Sequence, residues 1–158
     1  MKGLVKMLIT GMLAVVLVIT QVCSGYNIPQ AEAADIDVSN DADIDENAVY
    51  RIINVATGRC IDVPNRNTDD NTELQTYTNN GTVAQEFKFI KSVDKGYYVI
   101  IPMCGQTKAI DDTSRSTEDG KVQQIYQQNG NEAQDFRVVT AGNGIYRIIN
   151  RVSKKALQ

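Results

Sequence analysis

Two residue pairs in this chain have types and spacing suited to ligand chemistry: Asp62 with Tyr77, and Asp111 with Tyr126. In each pair the aromatic follows the acid by 15 positions. A carboxylate accepts charge-assisted hydrogen bonds, and a tyrosine offers a broad ring face at modest entropy cost. Together they suit a ligand that presents hydroxyl groups beside a patch of C–H surface. A plainer role is open for each: the aspartates could close turns through their own backbone, and the tyrosines could be half-buried core residues. Gln85 and Gln134 recur eight positions after the tyrosines. They read as structural first, tying loop backbone by hydrogen bonds, and as site residues second. Arg66 and Arg115 sit at equivalent places in polar loops, where they either rim a site or stay solvated.

The same inventory argues against catalysis. The chain contains no histidine, which removes the commonest general base and metal ligand near neutral pH. No Ser–His or Cys–His set can form, and no metal site or cofactor is expected. Cys60 and Cys104 match no zinc-binding spacing. They could pair in an oxidising compartment, or remain separate thiols. The apolar neighbour Ile61 favours a buried thiol at Cys60.

The elements that must position these residues come from an internal duplication, the strongest signal in the sequence. Tyr50-Arg51-Ile52-Ile53-Asn54 recurs as Tyr146-Arg147-Ile148-Ile149-Asn150, with a looser copy at Tyr98-Val99-Ile100-Ile101. Shifting residues 62–87 forward by 49 gives 11 identities in 26 positions, Asp62, Gln75, Tyr77, Gln85 and Phe87 among them. Each copy reads as four short strands: Tyr50–Asn54, Cys60–Val63, Leu74–Tyr77 and Phe87–Ile90 in the first, then Tyr98–Ile101, Ala109–Asp111, Val122–Tyr126 and Phe136–Val139. Polar turns such as Asn79-Asn80-Gly81 and Asn129-Gly130-Asn131 separate them. No segment after residue 48 carries a long helical period, so the fold class is all-β. A propeller needs at least four blades, and the chain has room for three copies. Twelve strands in three copies make a β-trefoil. Ile52, Ile100, Ile148, Phe87 and Phe136 read as its core. In a threefold arrangement Asp62 and Asp111 lie far apart, which rules out the paired carboxylates of glycoside cleavage.

The motifs Tyr50-x-Ile52-x-Asn54, Gly58-Arg59-Cys60-Ile61-Asp62-Val63, Leu74-Gln75-Thr76-Tyr77 and Gln85-Glu86-Phe87, in that order and largely repeated, resemble the ricin B-type lectin family over residues 49–158. The family's Gln-x-Trp signature is written here as Gln85-Glu86-Phe87 and Gln134-Asp135-Phe136. The resemblance implies one shallow sugar pocket per complete repeat. Asp62 and Asp111 would hydrogen-bond sugar hydroxyls, and Tyr77 and Tyr126 would stack on the ring. The polar residue that often precedes the signature glutamine is Ala84 or Ala133 here, which removes one hydrogen-bond partner per pocket. The implied partner is a carbohydrate or glycoconjugate. The competing reading is a protein-interaction or carrier module on the same scaffold.

The flanks carry further expectations. Lys2 and Lys6, the uncharged apolar stretch Met7–Ile19 and the Ala31-Glu32-Ala33 site form a secretory signal over residues 1–33. This implies an exported bacterial protein, secreted or held at the cell surface. Residues 34–48 are rich in acids and read as a solvated linker; they lack the glycine and terminal glutamate of a calcium loop. Residues 34–158 hold 14 Lys and Arg against 18 Asp and Glu. That balance leaves no basic footprint for nucleic acid. The repeats span about 49–96, 97–144 and 145–158, so Gln158 aligns with Asp62 and the third copy stops short. A missing C-terminal region or a partner chain is expected to complete the barrel, since bare strand edges are costly.

Overall fold

The computed structural model describes residues 41–157, together with three short strands, β1 (Leu8–Ile9), β2 (Met12–Leu13) and β3 (Val15–Leu17). The rest of the expected signal segment, with its cleavage site, lies outside the described residues, as does Gln158.

The first copy forms β4 (Cys60–Asp62), β5 (Thr72–Glu73), β6 (Gln75–Tyr77) and β7 (Phe87–Lys91). The second forms β8 (Tyr98–Pro102), β9 (Lys108–Asp111), β10 (Gln124–Gln127) and β11 (Asp135–Gly142), and the third contributes β12 (Ile145–Asn150). Strands β7, β8, β11 and β12 run antiparallel in one sheet, with β3 parallel at the β12 edge. The hairpins β4–β6 and β9–β10 stand apart from that sheet. This is an all-β, three-lobed β-trefoil-like fold. The segment 50–54, expected as a strand, makes only the isolated bridges Tyr50 to Phe87 and Ile53 to Cys60.

Repetition is visible in the packing. Ile52, Ile100 and Ile148 hold the same place in the three copies, and all are fully buried. Phe87 and Phe136, the aromatics of the two signatures, are fully buried as well. Each such side chain contributes roughly 1.5–3 kcal/mol by leaving water. Tyr50 and Tyr98 meet Phe89 edge to face, with centroids at 5.4 and 6.3 Å.

The third copy repeats the first as far as it goes. Asn54 N–H donates to Arg59 O and Gly58 N–H to Asn54 O, both at 2.8 Å; Asn150 N–H donates to Lys155 O at 2.9 Å and Lys154 N–H to Asn150 O at 3.0 Å. The turn needs a left-handed residue, supplied by Gly58 at φ 66° and by Lys154 at φ 60°. Ile149 then bridges Ala156 as Ile53 bridges Cys60.

Residues 41–48 differ from the expected solvated linker. Ile44 and Ala48 are buried in the core, and Ala42 N–H donates to Val138 O at 2.9 Å. The acids that suggested solvation find partners: Asp41 pairs with Arg137, and Glu46 accepts Lys91 N–H at 2.7 Å. Ala42, Ile44 and Ala48, set among the acids, let this segment close over the sheet.

Candidate functional site

Register brings the candidate residues together within each hairpin. Asp62 lies opposite Gln75, and Cys60 opposite Tyr77. In the second copy Asp111 lies opposite Gln124, and Ala109 opposite Tyr126. Because strand side chains alternate with period two, Gln75 and Tyr77 share a face, as do Gln124 and Tyr126. Gln75 Nε2 donates to Asp62 Oδ1 at 2.9 Å, and Gln124 Nε2 to Asp111 Oδ1 at 3.1 Å. Sequence alone assigns Gln75 and Gln124 no site role. The signal was present: both are identities of the repeat, opposite the aspartate across the hairpin.

The walls are two 3-10 turns that pack on each other, Pro64–Arg66 against Val83–Gln85, with Thr113–Arg115 and Glu132–Gln134 as the second-copy counterparts. Asn65 and Arg66 adopt φ of 54° and 55°, and Ser114 and Arg115 adopt 59° and 54°. Consecutive non-glycine residues in the left-handed region carry strain that surrounding contacts must hold. The same strained loop is built in both copies.

The signature glutamines are buried. Gln85 Oε1 accepts Asn80 N–H at 3.0 Å, and its Nε2 donates to Thr78 O at 2.8 Å. Gln134 makes the same pair of bonds, accepting Asn129 N–H at 3.1 Å and donating to Gln127 O at 2.9 Å. It also donates to Asp111 Oδ2 at 3.1 Å. Both oxygens of Asp111 are therefore engaged within the chain, whereas the Asp62 carboxylate, itself only 4 % exposed, receives only Gln75 among the described residues. Ala84 and Ala133 are buried and contribute backbone alone: their carbonyls accept Val63 N–H and Asp112 N–H, each at 3.0 Å.

The copies also differ in openness. Tyr77 is 49 % exposed and Gln75 is exposed, while Tyr126 is half-buried and Gln124 is buried. The cause is the neighbouring strand: β5 covers one edge of β10, and among the described residues β6 pairs only with β4. Arg115 is tied to Asn131 Oδ1 at 3.1 Å and Glu132 Oε2 at 3.3 Å. Arg66 is exposed, and its guanidinium makes no hydrogen bond or ion pair among the described residues.

Cys60 and Cys104 are separate thiols, and burial pushes both above the ordinary thiol range. Among the described residues no cluster of His, Cys, Asp or Glu is arranged to hold a metal ion.

The family model described as ricin-type beta-trefoil lectin domain-like matches residues 37–121 and 95–158. The chain belongs to this family. The family is a carbohydrate-binding, non-catalytic one. Among solved structures, the designed threefold-symmetric protein ThreeFoil is 30 % identical, with a TM-score of 0.66, over 69 % of this chain and 76 % of that one. An exo-β-1,3-galactanase from Clostridium thermocellum is 28 % identical, with a TM-score of 0.65, over 71 % of this chain. This lectin-family chain spans only 24 % of that enzyme's length. The BEL β-trefoil shares the fold at 18 % identity and a TM-score of 0.60, over 75 % of this chain and 80 % of that one. No curated protein matches the chain.

Proposed function

We propose that the chain is an exported carbohydrate-binding module and that its first repeat is the principal site. Asp62 accepts sugar hydroxyls, Gln75 orients that carboxylate, and Tyr77 stacks on the C–H face of the ring. Gln85 holds the loop, and Arg66 rims the pocket. The observation that carries this reading is the repeated Asp–Gln hydrogen bond beside an aromatic on one hairpin face, with the more exposed glutamine and tyrosine in the first copy. The second site, Asp111 with Tyr126, is the weaker one, because Gln124 and Gln134 already occupy its carboxylate. Arg115 supports the loop there rather than the ligand. A galactose-type ligand is the first to test, given the galactanase relative. The Clostridium relative also supports a bacterial origin, and the apolar leader supports export as the targeting arm of a larger protein or as a secreted lectin.

Ala84 and Ala133 favour a second reading, a protein-interaction or carrier module, because neither pocket gains a polar side chain at that position. A titration followed by NMR separates the two. Galactose and β-1,3-linked galactose oligomers should shift Asp62, Gln75 and Tyr77 progressively, with a dissociation constant near about 1 mM, or about 4 kcal/mol. Asp62→Ala should weaken that binding at least tenfold, and Asp111→Ala should leave it largely intact. A folded protein whose spectrum ignores a full panel of neutral and acidic sugars would transfer the argument to the interaction module.

A further inference from the structure

Asp62 and Asp111 stand beside loops that carry the same arginine in different company. Arg66 and Arg115 are counterparts at an offset of 49, each closing a 3-10 turn, with φ of 55° and 54°. The backbone places them alike: Arg66 N–H donates to Val63 O at 3.0 Å, and Arg115 N–H to Asp112 O at 2.8 Å.

In the second repeat the arginine is neutralised. Arg115 donates to Asn131 Oδ1 at 3.1 Å and to Glu132 Oε2 at 3.3 Å. The other oxygen of Glu132 meets Arg151 Nη2 at 3.1 Å. In the first repeat this set is exchanged. The counterparts of Asn131 and Glu132 are Thr82 and Val83, and the Thr82 hydroxyl donates to Asn80 Oδ1 at 2.8 Å. The counterpart of Arg151 is Met103: Met103 N–H donates to Glu86 O at 2.8 Å, as Arg151 N–H donates to Asp135 O at 2.9 Å. The Arg66 guanidinium is therefore left exposed, with no hydrogen bond or ion pair among the described residues. Two acids around it are already taken, since Asp70 pairs with Lys108 at 2.6 Å and Glu86 with Arg51 at 3.1 Å.

The free cation lies near the acceptor with spare capacity. Burial above all raises the Cys104 thiol, and Asp62 and Arg66 then act on it in opposite directions, so both charges are within electrostatic reach of one half-buried side chain. The loop bearing Arg66 is also held against the turn between β8 and β9. A Cβ on Gly105 would stand 2.9 Å from Thr68 Cγ2, two residues beyond Arg66. A ligand that used both groups would bring hydroxyls to Asp62 and an anion to Arg66. A carboxylate matches the guanidinium fork with two parallel hydrogen bonds.

We propose that the first-repeat site selects a sugar that carries a carboxylate, a hexuronic acid whose ring hydroxyls bond Asp62 and whose carboxylate pairs with Arg66. The inference rests on the reading of that repeat as a sugar site and adds the charge class of the ligand. The two acids stay apart because they meet opposite ends of the ring. The second repeat offers no such cation, since Glu132 holds Arg115.

Galactose, galacturonate and the galacturonate methyl ester share one ring configuration and differ only at the sixth carbon. Titrations at pH 7 followed by NMR should give galacturonate a dissociation constant about fivefold below those of galactose and the ester, the gain expected from one well-formed exposed ion pair. Glucose and glucuronate repeat the comparison for a second ring configuration. The preference should fall towards unity in about 1 M salt, where the Debye length is about 3 Å. Arg66→Gln should abolish the preference. Val83→Glu, which gives Arg66 the partner that Glu132 gives Arg115, should abolish it with the arginine still in place. If that half-buried change unfolds the protein, Arg66→Gln, at an exposed position, decides. An acid bound no tighter than its neutral counterpart overturns the inference and leaves the sugar reading standing. So does a preference that survives in Arg66→Gln. If none of these sugars shifts Asp62, Gln75 and Tyr77, the sugar reading itself falls and takes the inference with it.

Discussion

Gln85→Ala and Gln134→Ala make an internally controlled experiment, because the same side chain is removed from equivalent places in two copies. Each glutamine is fully or almost fully buried and closes its loop with one accepted and one donated bond to backbone. The loop residues carrying those backbone groups are exposed, so water can replace much of what is lost. Either variant should then cost about 1–2 kcal/mol from hydrogen bonds, before the lost packing that the two share. Gln134 has one bond more, to Asp111 Oδ2, and Asp111 is only 7 % exposed. Stripping a buried carboxylate oxygen of its donor costs about a further 1–3 kcal/mol. Urea unfolding at pH 7 reads this directly, provided the slope of free energy against denaturant is common to all three proteins. Gln134→Ala should be the less stable variant by about 1–3 kcal/mol. Equal losses, within about 0.5 kcal/mol, would refute the argument that Asp111 is held from both sides while Asp62 is not.

Two other perturbations test the joints between lobes. Hydrogen bonding from Lys108 holds the Asp70 carboxyl below the usual carboxylate range. Folding therefore favours its ionised form, and the resulting stability is present above the unfolded value of about 3.9 and lost as pH falls through the folded one. Asp70→Asn should flatten that acid part of a melting-temperature profile and leave the profile's shape above about pH 6 unchanged. Gln123 Nε2 donates to Asp112 Oδ1 at 2.9 Å, and Asp112 is 1 % exposed. Gln123→Leu alone should destabilise the chain by about 1–3 kcal/mol, because it takes that donor from the buried carboxylate. Adding Asp112→Val restores the apolar pair of the first copy, Val63 and Leu74, and should recover that loss or exceed it in thermal unfolding.

Much of the fold was legible because duplication writes the same instruction twice. Tyr50–Asn54 and Tyr146–Asn150 could be aligned by eye, and the buried isoleucines and signature phenylalanines followed from the alignment. The exceptions have physical causes. Residues 50–54 have strand composition, yet a strand needs neighbours along its length, and here only two bridges form. Residues 41–48 look solvated when their acids are counted. Arg137, which pairs with Asp41, lies 96 positions away, beyond the reach of any local pattern.

The candidate site was legible in part, and the rest turns on what stands next to each hairpin. The aspartates and tyrosines were named from type and spacing, whereas the glutamines opposite the aspartates needed the register to reveal their role. The difference between the copies could not be read at all, since Asp62 and Asp111, Tyr77 and Tyr126 are the same residues in the same order. The exposure of Gln75 and Tyr77 against Gln124 and Tyr126 follows from β5, which covers the edge of β10, whereas among the described residues no strand does the same for β6. Both carboxylates are buried, Asp62 at 4 % and Asp111 at 7 % exposure, so burial does not separate them; Gln124 and Gln134 engage both oxygens of Asp111, whereas Gln75 engages one oxygen of Asp62. Identical residues are thus committed to structure in one repeat and left with spare bonding capacity in the other, and the proposed recognition rests on that spare capacity.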